Sequence, residues 1–154
     1  MNKILKIVFL FFTISILAGC GYSPLNSSAN FNFYISDLKV DGDRQINNYI
    51  SKNLKKYRSF KDNSKKIDLN INSKYRKDIV NKDSAGNAKN YKITISSNIT
   101  FTLNGNEQVS KVFERYAAFS SKSKKIDEGE LVIETKEKLS KLISEDIVFF
   151  IINQ

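Results

Sequence analysis

From residue 67 onward the chain alternates apolar and polar positions with a period of two. Ile67, Leu69 and Ile71 alternate with Asp68, Asn70 and Asn72, which predicts a strand that continues to about Tyr75. Tyr91, Ile93, Ile95, Ile99, Phe101 and Leu103 face Lys92, Thr94, Ser96, Asn98, Thr100 and Thr102 across a second, longer strand, and only Ser97 breaks the apolar parity. Asn81 to Ala88, a polar stretch containing Gly86, is expected to be the loop between them. Asn104-Gly105-Asn106 predicts a tight hairpin, because Asn and Gly tolerate positive φ, and Glu107 to Phe119 returns as a further strand. There Val109 and Phe113 oppose Val112, Tyr116 and Ala118, a conflict that a bulge near Val112 would reconcile.

Upstream, Phe31 to Val40 reads as a strand with Phe31, Phe33 and Ile35 on one parity and Tyr34, Leu38 and Val40 on the other, so both faces are expected to be partly covered. Asp41-Gly42-Asp43 is a turn able to cap the start of a helix. Ile46, Tyr49, Ile50, Asn53, Leu54 and Tyr57 then recur at steps of three and four, one stripe of such a helix. A second helix is expected from Asp127, with Asp127 and Glu130 spaced as a capping box. Its buried stripe would be Leu131, Thr135, Leu139, Leu142, Ile143, Ile147, Phe150 and Ile151.

The expected order is therefore β-α-β-β-β-α. Two amphipathic helices each need an apolar surface and the sheet offers one, so both should pack on the same side. The expected fold class is α+β: a two-layer sandwich with two helices on one face of a mostly antiparallel four-stranded sheet.

The first nineteen residues stand outside this pattern. Lys3 and Lys6 precede an apolar run from Ile7 to Leu17, interrupted by Thr13 and Ser15 and ended by Ala18-Gly19. Such a run is shorter than the roughly 20 residues that cross a bilayer as a helix, so it reads as an export signal. Leu17-Ala18-Gly19-Cys20 resembles the bacterial lipobox, which implies a diacylglycerol on the Cys20 thiol and cleavage just before it. Residues 1–19 are then a leader, 20–30 a polar lipidated tether, and 31–154 one folded domain.

Composition narrows the chemistry. The 154 residues contain no His, no Trp and one Cys. Without imidazole no Ser-His or Cys-His pair can work, a zinc site would rest almost on carboxylates alone, and no disulfide can form within the chain. Asp78 with Asp83, or Glu107 with Glu114, could pair as acid and base, but no phosphate loop or nucleophile accompanies them. They are expected to be solvated or salt-bridged, and no enzyme, metal or cofactor is expected.

The full chain carries a net charge of +9, and losing Lys3 and Lys6 with the leader lowers it to +7. Residues from Asp127 onward hold seven acids and three Lys, so the excess of positive charge lies before the last helix. In an antiparallel run the loop after the second strand and the exit of the fourth share one end of the sheet. Lys77, Lys82 and Lys89 are therefore expected near Lys122, Lys124 and Lys125, a candidate seat for a polyanion.

Cys20-Gly21-Tyr22 with Pro24-Leu25, the element order and the segment Lys111-Val112-Phe113-Glu114-Arg115 together make the mature chain similar to the lipopolysaccharide-assembly lipoprotein family, LptE. That resemblance implies an outer-membrane lipoprotein, anchored on the periplasmic side by palmitate-type acylation. It would plug the LptD β-barrel, support its assembly, and engage lipopolysaccharide during insertion into the outer leaflet. Thr94, Ser96, Asn98, Thr100 and Thr102 would suit a polar barrel interior, and the six Lys would meet lipid A phosphates. The alternative is a small accessory lipoprotein of another outer-membrane or cell-wall machine that does not bind lipopolysaccharide. An exported chain is not expected to bind nucleic acid. The apolar run from Ile147 to Ile152 fits either a core or a barrel contact.

Overall fold

The computed structural model describes residues 32–60, 62–105, 107–121 and 125–154. The leader, Cys20 and the tether lie outside the described residues, as do Phe31, Lys122 and Lys124. The elements are β1 (Phe33–Gly42), α1 (Arg44–Leu54), a 3-10 turn (Lys55–Tyr57), β2 (Lys65–Lys82), β3 (Ala88–Leu103), β4 (Glu107–Ser120) and α2 (Lys125–Ile152). They form an α+β sandwich in the expected order. The sheet runs β1-β2-β3-β4, with β1 parallel to β2 and the other two pairs antiparallel.

The parity conflict in β1 comes from a bulge at Ser36. Ile35 pairs with Ile67 but Asp37 pairs with Asp68, so one extra residue rephases the strand. Leu38 and Val40 then stand opposite Leu69 and Ile71, on the same face as Phe33 and Ile35. In β4 the expected bulge near Val112 is absent: its pairing with β3 is regular from Glu107 to Ser120. Val112 and Tyr116 instead lie on the open face of the sheet, 59% and 65% exposed, and the helix-facing parity belongs to Val109, Phe113, Ala117 and Phe119. Odd-numbered positions of β4 alone complete the core, which an edge strand permits because one of its faces can stay wet.

Strand β2 also runs past Tyr75 to Lys82, so the polar loop shrinks to the turn at Asp83. Asp83 Oδ1 accepts the amides of Ala85 (2.9 Å) and Asn87 (2.8 Å), and its own amide donates to Asn87 O (2.8 Å). A side chain that organises its own backbone closes the hairpin where the apolar alternation has run out. These amides hold the Asp83 carboxyl below its ordinary pKa, the Asn87 backbone bond first among them. A depressed carboxyl supports structure above its unfolded pKa and loses that support as pH falls through the folded value. Protection of the Ala85 and Asn87 amides from exchange, relative to the intrinsic rate at each pH, should therefore be lost only in acid below the usual carboxylate range, and in Asp83→Ala it should be low at every pH.

The core lies between the sheet and the two helices. Ile35, Ile46, Ile50, Leu54, Ile67, Leu69, Ile93, Ile95, Ile99, Phe101, Ile143 and Ile147 are fully buried, each worth about 1.5–3 kcal/mol relative to exposure. Ser97, the interruption in β3, pairs in register with Ser73, and their buried hydroxyls share a hydrogen bond of 2.9 Å. Each satisfies the other, so neither carries the cost of an unpaired polar group.

α2 begins at Lys125, which places Asp127 inside its first turn rather than at the expected cap. The buried stripe is also rotated from expectation. Lys136, Ser140, Ser144 and Val148 join Leu139, Ile143, Ile147 and Ile151, whereas Leu142 is exposed. The two serines stay satisfied by donating to the carbonyls four residues back, Lys136 O at 2.6 Å and Ser140 O at 2.8 Å. Apolarity alone drew the stripe toward Leu142.

Candidate functional site

The pairing register gives the sheet two distinct ends. At the entry pole, where the described chain begins, Phe33 pairs with Lys65, Ile67 with Leu103, and Leu103 with Glu107. At the hairpin pole Lys82 pairs with Ala88, and Asn90 with Ser120. Sixteen residues of β3 at about 3.4 Å each separate the poles by about 50 Å.

The hairpin pole brings together Lys82, Lys89 and Lys125. The amide of Ser121 donates to Lys89 O at 2.8 Å, which ties the exit of β4 to the start of β3 just before α2 opens at Lys125. Lys82, Lys89 and Lys125 are exposed, and no ion pair among the described residues involves them. Lys122 and Lys124 belong to the same connection but lie outside the described residues.

Lys77 is placed differently. It sits on the helix-facing side of β2, where its ammonium donates to Glu128 Oε1 at 2.5 Å and lies 3.9 Å from the centre of the Tyr91 ring. Glu128 also accepts from Ser121 Oγ at 3.3 Å. One carboxylate thus clasps β2, the β4 exit and the first turn of α2. Lys77 is a fastening for the helix start, and its charge is already engaged.

The open face of the sheet presents the polar parity of β3. Ser96, Thr100 and Thr102 are half-buried, Asn98 is exposed, and Thr100 Oγ1 and Ser110 Oγ lie 2.9 Å apart across the β3–β4 pair. Towards the hairpin the same face becomes charged and aromatic. Arg76 Nε meets Asp78 Oδ2 at 2.8 Å, and Lys92 Nζ lies 4.4 Å from the Tyr116 ring centre. Thr94, flanked in register by Arg76 and Tyr116, is 4% exposed, and its hydroxyl has no partner among the described residues.

Of the acidic pairs, Asp78 is held by Arg76 and Asp83 by its own turn, while Glu107 and Glu114 are exposed on β4. Among the described residues no three His, Cys, Asp or Glu side chains converge to hold a metal, and no helix is long and apolar enough to cross a membrane.

Two features escaped the sequence reading. A groove of about 570 Å³ runs between the β4 edge and the end of α2, lined by Lys111, Phe113, Arg115, Asp146, Phe149 and Phe150. Arg115 spans it with two bonds to Asp146, at 2.6 and 2.7 Å, which hold the guanidinium proton more tightly than usual. The other is Lys136, buried beneath α2 and 3.8 Å from the centre of the Tyr75 ring. A Lys within an otherwise amphipathic helix carries no sequence mark of burial.

No family model and no curated protein matches this chain. Solved structures do. The crystal structure of rare lipoprotein B from Shewanella oneidensis is similar over 76% of this chain and 97% of its own, with 12% identity and a TM-score of 0.54. A minor lipoprotein of Acinetobacter baumannii is similar over 80% and 92%, at 8% identity and a TM-score of 0.53. A lipoprotein of Caulobacter crescentus CB15 is similar over 77% and 89%, at 12% identity and a TM-score of 0.51. At such identities the likeness is one of fold, and the fold of this chain is the one these three lipoproteins have.

Proposed function

We propose that the chain is a non-catalytic outer-membrane lipoprotein of the LptE kind, acylated at Cys20. In this reading it plugs an LptD-like β-barrel, supports the barrel's assembly, and engages lipopolysaccharide on its way to the outer leaflet. The observation that carries the reading is the one-sided sandwich. Both helices cover one face, and the other presents Ser96, Asn98, Thr100 and Thr102 over the span between the poles. A row of neutral hydroxyl and amide groups of this kind can exchange water for the polar lumen of a large barrel with little loss. The lipobox resemblance and the fold shared with lipoproteins support the same reading.

Within it, Lys82, Lys89 and Lys125 form a cationic tip for lipid A phosphates, and Lys77 holds the tip's backbone through Glu128. The test is recovery of the tagged chain from membranes. It is expected to bring a large β-barrel with bound lipopolysaccharide, and Lys82→Glu, Lys89→Glu and Lys125→Glu together are expected to cut the lipopolysaccharide retained at low salt about tenfold while the barrel stays. A chain that emerges alone or with an unrelated barrel would transfer the reading to an accessory lipoprotein of another envelope machine.

A further inference from the structure

The strongest run of positive charge lies at the other end of the molecule. Residues 55–66 hold six basic side chains and one acid. Lys55 and Lys56 belong to the 3-10 turn that ends α1, Arg58 comes just after it, and Lys65 and Lys66 open β2. Lys52 and Lys55 suit the negative end of the α1 dipole, but Arg58, Lys65 and Lys66 lie beyond its reach.

The fold gathers these residues around the point where the chain enters. The amide of Lys65 donates to Asn32 O at 2.7 Å, and Phe33 and Tyr34 pair with Lys65 and Lys66. Phe33 stacks on Tyr57 at 5.6 Å on the helix side, and Lys56 lies 4.9 Å from the centre of the Tyr57 ring. On the open side Tyr34 meets Phe60 edge-on at 5.2 Å, and Phe60 is 68% exposed. Lys66 has a weak partner in Asp68 at 3.8 Å, whereas Lys55, Arg58 and Lys65 have no ion pair among the described residues. The result is an exposed aromatic ring within a collar of cations.

We propose that the entry pole is a contact surface for an anionic phospholipid leaflet. This rests on the reading of Cys20 as an acyl anchor. Ten residues separate Cys20 from Phe31, and the eleven steps between the two reach at most about 40 Å when fully extended. Acyl chains seated in a bilayer therefore hold this pole within reach of headgroups in every orientation of the domain, which is not required of the pole about 50 Å further on. Basic side chains near an anionic leaflet each strengthen attachment several-fold, and a partly exposed Phe adds apolar contact at the interface. The domain thus stands on its basic collar with the Lys82 hairpin directed away from that leaflet.

The test uses the mature chain from residue 20 with Cys20→Ser, whose core is supplied by residues 33–151, and vesicles that contain neither lipopolysaccharide nor barrel. Co-sedimentation is expected with phosphatidylglycerol mixed into phosphatidylcholine and not with phosphatidylcholine alone. Combined Lys55→Gln, Lys56→Gln, Arg58→Gln and Lys65→Gln should weaken it at least about tenfold. Arg44→Gln, Lys74→Gln, Lys138→Gln and Lys141→Gln, an equal loss of charge at exposed sites elsewhere, should weaken it no more than about twofold. Phe60→Ser should remove the part that persists at about 0.5 M salt, where charge is screened.

Equal losses in the two four-residue variants would overturn the proposal, since net charge alone would then explain binding. Persistence of the salt-resistant part in Phe60→Ser would also overturn it, since the apolar contact with the vesicle would then lie away from this pole. Either failure leaves recovery of the barrel from membranes untouched, and failure of that recovery leaves vesicle binding untouched.

Discussion

Gly42→Ala is expected to lower the stability of the fold by about 3–5 kcal/mol, read as a fall in the urea midpoint at unchanged slope. Gly42 ends β1 with φ of +92°, a conformation L side chains rarely adopt. A methyl group there would also stand 2.1 Å from the carbonyl oxygen of Ser73. That oxygen cannot swing away, because it accepts the amide of Asp43 at 2.8 Å, and Ser73 sits in the middle of β2. The strain of the backbone adds about 1–3 kcal/mol to the cost of the clash. Gly105→Ala supplies the control. Its φ of +81° is similar but nothing lies within 4 Å of the added carbon, so only the backbone cost of about 1–2 kcal/mol is expected. If the two variants lose equal stability, close approach of β1 to β2 is not what fixes this glycine.

The same turn shows how far the sequence could be read. Asp41-Gly42-Asp43 was legible as a turn and cap, and Asp43 Oδ1 does accept the amides of Gln45 and Ile46, both at 3.0 Å. Element order, hairpin positions and the helix-bearing face came from periodicity, because burial on one side imposes a period that a chain of this size cannot hide. The misses share a physical cause. Periodicity records which side chains avoid water, but the bulge at Ser36 shifts phase without changing composition, and the open face of β4 tolerates Val112 and Tyr116 at little cost. The rotated stripe of α2 arises because Lys136, Ser140 and Ser144 are buried through partners far along the chain or one helical turn away. Of the candidate site, shared topology made the hairpin-pole lysines legible. The engagement of Lys77 by Glu128 was not, since it depends on where α2 starts. The basic collar at the entry pole was present as a charge run, but only the register of β1 with β2 places it around the chain's entry.

Lys136→Glu is the second large effect, with an expected loss of about 3–5 kcal/mol. Lys136 reaches from α2 to the start of α1, where its ammonium donates to Gln45 Oε1 at 3.2 Å and stands 3.7 Å from Asp43 Oδ2. Its side chain is 11% exposed and that of Asp43 24%, so solvent screens the pair only in part. Beneath it the Tyr75 ring offers its electron-rich face at 3.8 Å, and burial, ahead of the nearby charges, pushes the Tyr75 hydroxyl pKa up. A Glu at this position would set a carboxylate against both Asp43 and the negative face of the ring. Each interaction that favours the ammonium would change sign. Lys136→Met keeps the length of the side chain and removes the charge. Asp43 would retain its two backbone amides, so a loss of about 1 kcal/mol or less is expected. The pH dependence separates repulsion from lost shape. A Glu forced beside Asp43 has a raised folded-state pKa, so its penalty is full well above the carboxylate range and fades as pH falls through that range and both states become protonated. The stability gap between Lys136→Glu and Lys136→Met should therefore narrow from neutral pH towards pH of about 4. A gap of the same size at both pH values would mean that the cation beneath α2 is held by shape alone, and that the ion pair to the α1 cap does not join the two helices.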